Sequence, residues 1–582
     1  MEMTIAALRA HYASGALRPQ DVLTEIRRRI DEHAPYNAWL HVLSENALQP
    51  YLDKLEHMDP EDSPLWGIPF AIKDNIDLAG CPTTAACPDF SYVPEQSATV
   101  VAKLIGAGAL PIGKTNLDQF ATGLVGTRSP HGPTRNAIDP KMISGGSSAG
   151  SAVALKLGHC CFSLGTDTAG SGRVPAALNG LVGFKPTRGW LSTSGVVPAC
   201  RTLDCVSVFA HSVADARDVL NVAGGFDSAD TYSRRLQFAG FDANKPRYGM
   251  LNEQSLEACH FAYKDAYDSW MAELPAVRVC DTSFLLDAAA LLYQGPWLSE
   301  RYAALSEFMA EHRDSVYPTT RSIIENGAAF SAESAFKGQY QLAALRRRAE
   351  TLFESIDVLV VPSVPAAYTI AQVEKEPIDT NAHLGTYTNF VNLLDLCAVA
   401  IPAEAQVHGL PFGVTLIAPA GRDHALLDLA ASMLGSGPAA SLESADLLPE
   451  ARPGEFHLAV CGAHLDGQPL NSQLTERGGY LLWEGSTSPD YRLYALPDNK
   501  RPAMIRDAQQ GQAIEVEVWS IDSAAVGSFL RGVAPPLGLG SVELSNGAWV
   551  NGFIAEPVAT EGAAEVTHLG GWRSHLAARS RS

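Results

Sequence analysis

Ile143 to Pro175 reads ISGGSSAGSAVALKLGHCCFSLGTDTAGSGRVP, and the fold is decided by this stretch. Two glycine-flanked serine clusters sit in it, Gly145-Gly146-Ser147-Ser148-Ala149-Gly150-Ser151 and Thr166-Asp167-Thr168-Ala169-Gly170-Ser171-Gly172-Arg173. Between them an apolar run, Ala149 to Leu157, has helical character, and a shorter run, Cys160 to Leu164, reads as a strand. Glycine permits close backbone approach to a ligand, and serine supplies a nucleophile or a proton relay. Each cluster taken alone also reads as a turn followed by a helix cap.

A third element lies upstream. Trp66-Gly67-Ile68-Pro69-Phe70-Ala71-Ile72-Lys73-Asp74-Asn75 is an apolar strand that ends on a lysine. Partial desolvation at such a strand end lowers a lysine pKa and suits it to act as a base. A lone lysine there also reads as one that snorkels to the surface. A base, a relay serine and a nucleophilic serine on three loops make the lysine variant of the catalytic triad.

On these motifs the chain resembles the amidase signature family, whose triad is Ser-cisSer-Lys. The resemblance matches Lys73 to the base, Ser147 to the relay and Ser171 to the nucleophile. The separations are 147 − 73 = 74 and 171 − 147 = 24 residues, and both suit the family. It implies a cis peptide at Gly146–Ser147 and an oxyanion hole built from the N–H groups of Thr168, Ala169, Gly170 and Ser171. It covers residues 60 to 435 and extends to Gly183-Phe184-Lys185-Pro186-Thr187-Arg188-Gly189 and the strand Ile356 to Ser363.

Within the family, Ile143-Ser144-Gly145-Gly146 and Ala121 to Pro130 are similar to the allophanate hydrolase branch. Tyr293-Gln294-Gly295-Pro296-Trp297-Leu298-Ser299-Glu300-Arg301-Tyr302 points the same way. In that branch the tyrosine and arginine, here Tyr293 and Arg301, hold the substrate carboxylate, a task for which the planar fork of arginine is suited. Eight residues are about two helical turns, but Gly295-Pro296 is able to break the helix, and a surface Arg–Glu pair is the plainer reading of the spacing. The backbone near Gly123 is expected to line the pocket.

The rest of the chain bounds the answer. Its 582 residues exceed one ordinary domain, and 46% hydrophobic with 18% charged residues describes a globular protein. The net charge of −21 argues against binding nucleic acid or an anionic membrane surface. Ten cysteines without a CxxC read as reduced, cytosolic core residues, and the lone Cys461…His464 spacing is too little for a zinc site. Neither a leader at Met1 nor an apolar run of about 20 residues is seen, so a cytoplasmic protein is expected. No metal or other cofactor is called for.

Strands alternating with helices give an α/β fold, a mixed sheet flanked by helices. Residues 4 to 33 read as helices, Ala98 to Ala107 as a helix, Ala109 to Ile112 as a strand, and Asn116 to Phe120 as the opening of another helix. The domains are expected at 1–435 and 455–582, with 436–454, rich in Pro, Ser, Ala and acid, as a linker. Beyond it strands are expected at Phe456 to Cys461, Gly479 to Trp483, Tyr491 to Leu496, Ala513 to Ser520 and Gly547 to Ile554, and the polar tail from Trp572 reads as mobile. The motif Gly462-Ala463-His464-Leu465-Asp466-Gly467-Gln468-Pro469-Leu470-Asn471 resembles the allophanate hydrolase C-terminal domain, a β-rich α+β module of γ-glutamyl-cyclotransferase type. There His464 matches a histidine assigned to decarboxylation of N-carboxycarbamate, and His457 reads as structural.

The resemblance implies a small-molecule substrate, allophanate, a homodimer, and a link to urea carboxylase or a biuret hydrolase as the supplier. A general amidase, the amidase component of a tRNA-dependent amidotransferase and a non-catalytic scaffold remain alternatives.

Overall fold

In the computed structural model the described residues are 1–236, 238–241, 245–435, 454–498, 501–545 and 547–579. All of the expected linker except Gly454 therefore lies outside the described residues. The chain divides into two compact units. One comprises Met1–Leu236 and Phe241–Ala440, the other Gln237–Gly240 and Ser441–Ser582.

The first unit is built on an eleven-stranded mixed sheet. Its strand order is Trp39–Val42, Leu110–Thr115, Pro69–Lys73, Phe162–Asp167, Cys205–Ala210, Val182–Lys185, Leu396–Val407, Leu410–Pro419, Val358–Pro362, Tyr248–Met250 and Val277–Val279. Pro69–Lys73 runs parallel to both neighbours, with Ile72 opposite Lys114 on one side and Leu164 on the other. All five of its residues are buried, as a parallel strand covered on both faces requires. The helix Ala149–Lys156 lies against this part of the sheet, and only small side chains allow so close an approach. Its Ser151 hydroxyl donates to Leu164 O at 2.9 Å and lies 2.8 Å from Thr115 Oγ1.

One expectation fails in this unit. Asn116 to Phe120 does not open an α-helix; a single 3-10 turn, Gln119–Ala121, forms instead, and Phe120 and Ala121 both have φ of 52°. The side chain of Asp118 draws the following N–H groups onto itself, which bends the chain out of helix. Tyr293 and Arg301 lie on two helices, Ser283–Tyr293 and Trp297–His312, and the break falls at Gly295-Pro296, where the sequence allowed one.

In the second unit the five-stranded sheet has the order Tyr480–Ser486, Glu515–Asp522, Glu455–Val460, Trp549–Ala555 and Leu537–Glu543. A three-stranded sheet places Tyr491–Ala495 between Pro502–Arg506 and Ala564–Glu565. The strands Pro502–Arg506 and Leu537–Glu543 were not foreseen: the first opens on a proline, and Leu537-Gly538-Leu539-Gly540 lacks β-branched residues. The tail corrects a further expectation. Trp572–Arg579 is a helix, because Trp572 is buried in the core of this unit and Arg573 donates to Glu515 and Glu517.

Candidate active site

The lysine strand and its neighbour Phe162–Asp167 end side by side, which brings Lys73 and Thr166 together. Lys73 Nζ lies 2.7 Å from Ser147 Oγ and 2.7 Å from Thr166 Oγ1. Asn75 Nδ2 also donates to Thr166 Oγ1, at 3.3 Å. Lys73 and Ser147 have no exposed surface, and burial drives the Lys73 pKa down to about 7 against the pull of Asp118, Asp204 and Asp167. Near neutral pH the amine is therefore substantially uncharged and able to take a proton.

Ser147 is carried by the turn that precedes the helix Ala149–Lys156, and the Gly146–Ser147 peptide is cis. Gly146 has no room for a side chain: a Cβ there would stand 2.2 Å from Asp118 Oδ2 and 2.7 Å from Gly126 N. Asp118 organises the facing loop by accepting from the N–H groups of Val125, Gly126 and Arg128 at 3.1, 3.0 and 2.9 Å.

Ser171, the matched nucleophile, follows the strand Phe162–Asp167 in a turn held by one carboxylate. Asp167 accepts from Gly170 N at 2.8 Å and Gly172 N at 3.0 Å, and from Arg173 through both Nε and Nη2 at 2.9 Å. Burial works to raise the Asp167 pKa, but the guanidinium beside it prevails and holds it below the usual carboxylate range. This corrects one expected oxyanion donor: the Gly170 N–H is committed to Asp167. The N–H groups of Thr168, Ala169 and Ser171 have no acceptor among the described residues. The Ser171 hydroxyl is turned toward Gly123 O, 3.4 Å away, and the Ser147 hydroxyl toward Lys73. Lys73 and Ser147 are thus directly bonded, while Ser171 is joined to the expected pocket backbone at Gly123.

Beside Gly123 the same loop meets the pair read from the sequence. Arg301 Nη2 donates to Tyr293 OH at 3.3 Å and Nη1 to Thr122 Oγ1 at 3.2 Å, with the guanidinium 5.2 Å from the Tyr293 ring centre. The break between the helices leaves this meeting intact, because Arg301 reaches Tyr293 with one nitrogen and Thr122 with another. Asp204, overlooked in the sequence, receives the Thr168 hydroxyl at 2.5 Å and the N–H groups of Ala199 and Cys200. Burial raises its pKa to about 6. It also lines a cavity of about 490 Å³ together with Asp77, Tyr92, Arg201 and Asp230. Thr166, Asp118 and Asp167 were likewise missed; their strand-end and turn positions were legible, but their partners come from distant segments.

In the second unit His464 lines a separate cavity of about 130 Å³ with Cys461, Gln473, Arg501, Phe529 and Phe553. Its Nε2 meets Gln473 Oε1 at 3.2 Å, and its ring stacks on Phe553 with centres 5.3 Å apart. Burial lowers its pKa, so the ring is neutral near pH 7. His457 is buried within a strand and does not line that cavity. All ten cysteines are buried and unbridged, no cluster of metal-binding side chains occurs among the described residues, and no described helix is long and apolar enough to cross a membrane.

A parallel strand ending in a buried lysine, a serine beside it and a glycine-rich serine turn make up the candidate site, and the amidase family matches residues 21–427. The chain belongs to that family. Residues 456–577 match the allophanate hydrolase C-terminal domain. Among solved structures, the Kluyveromyces lactis allophanate hydrolase is 38% identical with a TM-score of 0.77, each chain covered to 99%. The urea amidolyase of Saccharomyces cerevisiae is 41% identical over 576 residues; the match takes in 93% of this chain but only 31% of that protein. A glutamyl-tRNA(Gln) amidotransferase polypeptide of Deinococcus radiodurans is 33% identical, over 75% of this chain and 97% of that one.

Proposed function

We propose that the protein is an allophanate hydrolase. The observation that carries this reading is the junction at Thr122-Gly123. Thr122 receives the buried Arg301, which also holds Tyr293, and the adjacent Gly123 carbonyl receives the Ser171 hydroxyl. A guanidinium one residue from the nucleophile's contact selects a short amide that carries a carboxylate.

In the proposed reaction neutral Lys73 takes the Ser147 proton as Ser147 takes that of Ser171, and Ser171 Oγ attacks the terminal amide carbon. The free N–H groups of the Thr168–Ser171 turn receive the oxyanion, each such donor typically being worth about 3 kcal/mol in the transition state. The proton returns through Ser147 to the leaving nitrogen, and ammonia departs. Water then cleaves the acyl-enzyme, releasing N-carboxycarbamate. In the second unit His464 would assist loss of CO2, with a proton replacing it on nitrogen. The resulting carbamate falls to ammonia and a second CO2.

The homodimer, the cytoplasmic location and supply of allophanate by a urea carboxylase or a biuret hydrolase belong to the same proposal. The test is ammonia release by the purified chain from allophanate, beside malonamate, asparagine, glutamine and aryl amides. Turnover of allophanate, lost in Ser171→Ala and weakened in Arg301→Ala, supports the reading. Turnover of the simple amides alone would replace it with a general amidase.

A further inference from the structure

Two arginine side chains converge on Thr122, and only one of them has been given a task. Arg128 Nη1 donates to Thr122 O at 3.0 Å and Nη2 to Pro377 O at 2.6 Å, while Arg301 Nη1 reaches the Thr122 hydroxyl. Each is 1% exposed, and each has a buried Nε without an acceptor. Among the described residues no carboxylate oxygen lies within 4 Å of either guanidinium. Arg173 supplies the contrast, since it is equally buried but gripped bidentately by Asp167.

The nearby acids are occupied. Both Asp118 oxygens are taken by backbone N–H groups, including that of Arg128 itself, and Asp204 is bonded to Thr168, Ala199 and Cys200. They weaken the local positive field without forming an ion pair. A buried cation held by carbonyl and hydroxyl dipoles, with one tyrosine ring added for Arg301 but no carboxylate, is expensive, and two of them on one residue repel each other. An anion arriving beside them relieves both costs, whereas an uncharged molecule of the same shape relieves neither.

We propose that Arg128 is a specificity-determining residue, a second cation that with Arg301 makes the pocket prefer a carboxylate-bearing amide over its uncharged isostere. This rests on the reading of the Arg301 pocket as the substrate-carboxylate site. The alternative is that Arg128 merely ties the 122–128 loop to Pro377.

The full chain carrying Ser171→Ala, which does not turn over, is titrated with malonamate and with its neutral isostere malonamide, and the ratio of the two Kd values is read. Adding Arg128→Gln weakens malonamate by roughly tenfold while malonamide stays within about twofold. Arg128→Lys, which keeps the charge but cannot span both carbonyls, retains most of the preference. An equal loss on both ligands, or no preference for malonamate in the Arg128 protein, overturns the proposal. Should Arg128→Gln fail to fold, the lysine variant decides: collapse of the ratio with the charge retained overturns it. Allophanate turnover by the chain with Ser171 intact is scored separately, and its failure counts against the proposed function alone.

Discussion

At the scale of single residues the proposed chemistry turns on the charge of Lys73. In that reaction the active form is the neutral amine, and burial lowers its pKa to about 7. The rate of ammonia release at low substrate should therefore be half-maximal near pH 7 and fall about tenfold per pH unit below it. A pH profile that stays flat from pH 6 to 9 would remove Lys73 from the role of base. Thr166 holds that amine as closely as Ser147 does. Thr166→Val should cost about 10 to 100-fold in kcat with KM little changed, since it touches the base and not the substrate. Of these residues Lys73, Ser147 and Ser171 were legible because each sits in a motif of its own. Thr166 was printed in the same stretch as Ser171, but nothing local marks a threonine at a strand end as a partner of a lysine 93 positions away.

At the scale of elements, two short turns hold the site, and each is organised by one buried aspartate. Asp167 binds Gly170, Gly172 and Arg173 within the nucleophile turn. Asp167→Asn leaves the Arg173 charge buried and unmatched, and should lower stability by about 3–5 kcal/mol as well as abolish turnover, read by thermal unfolding and ammonia release. Gly123 belongs to the turn organised by Asp118, where a Cβ would stand 2.5 Å from Asp118 Oδ2 and 3.1 Å from Arg128 Cδ. Gly123→Ala should thus displace the loop and weaken substrate binding more than it affects folding, visible as a raised KM. Periodicity placed the helices and strands it named, such as Ala98 to Ala107 and Phe456 to Cys461, to within a few residues. It failed at Asn116 to Phe120 because the Asp118 side chain outbids the helix for backbone donors, a competition decided by a charge and not by hydrophobic pattern.

At the scale of the whole molecule, each of the two units carries its own cavity and its own candidate chemistry. If the proposed division of labour holds, His464→Ala leaves the first ammonia released from allophanate at its normal rate. The decay of N-carboxycarbamate, followed by 13C NMR, slows in the same variant. Equal loss of both steps would instead make His464 a structural residue of the chain. Trp572→Ala offers a control for stability, since it empties the core of the second unit and should cost that unit about 3–5 kcal/mol while the first ammonia is still released.

The sequence by itself determined the order and spacing of the three matched motifs and which side chains stand as candidates for the proposed chemistry. These are properties of short segments, set by glycine at the turns and by apolar strands that end where a polar residue begins. Only the tertiary structure decided which groups meet. It committed the Gly170 N–H to Asp167, turned Ser171 toward Gly123, and folded the polar tail into a helix around Trp572. It also brought Arg128 and Arg301, 173 positions apart in the chain (301 − 128), onto the carbonyl and the hydroxyl of Thr122. The physical reason is common to all of these. A buried charge or donor is stabilised by whichever partner the packed sheet and loops deliver, and that delivery depends on non-local geometry that no window of sequence contains.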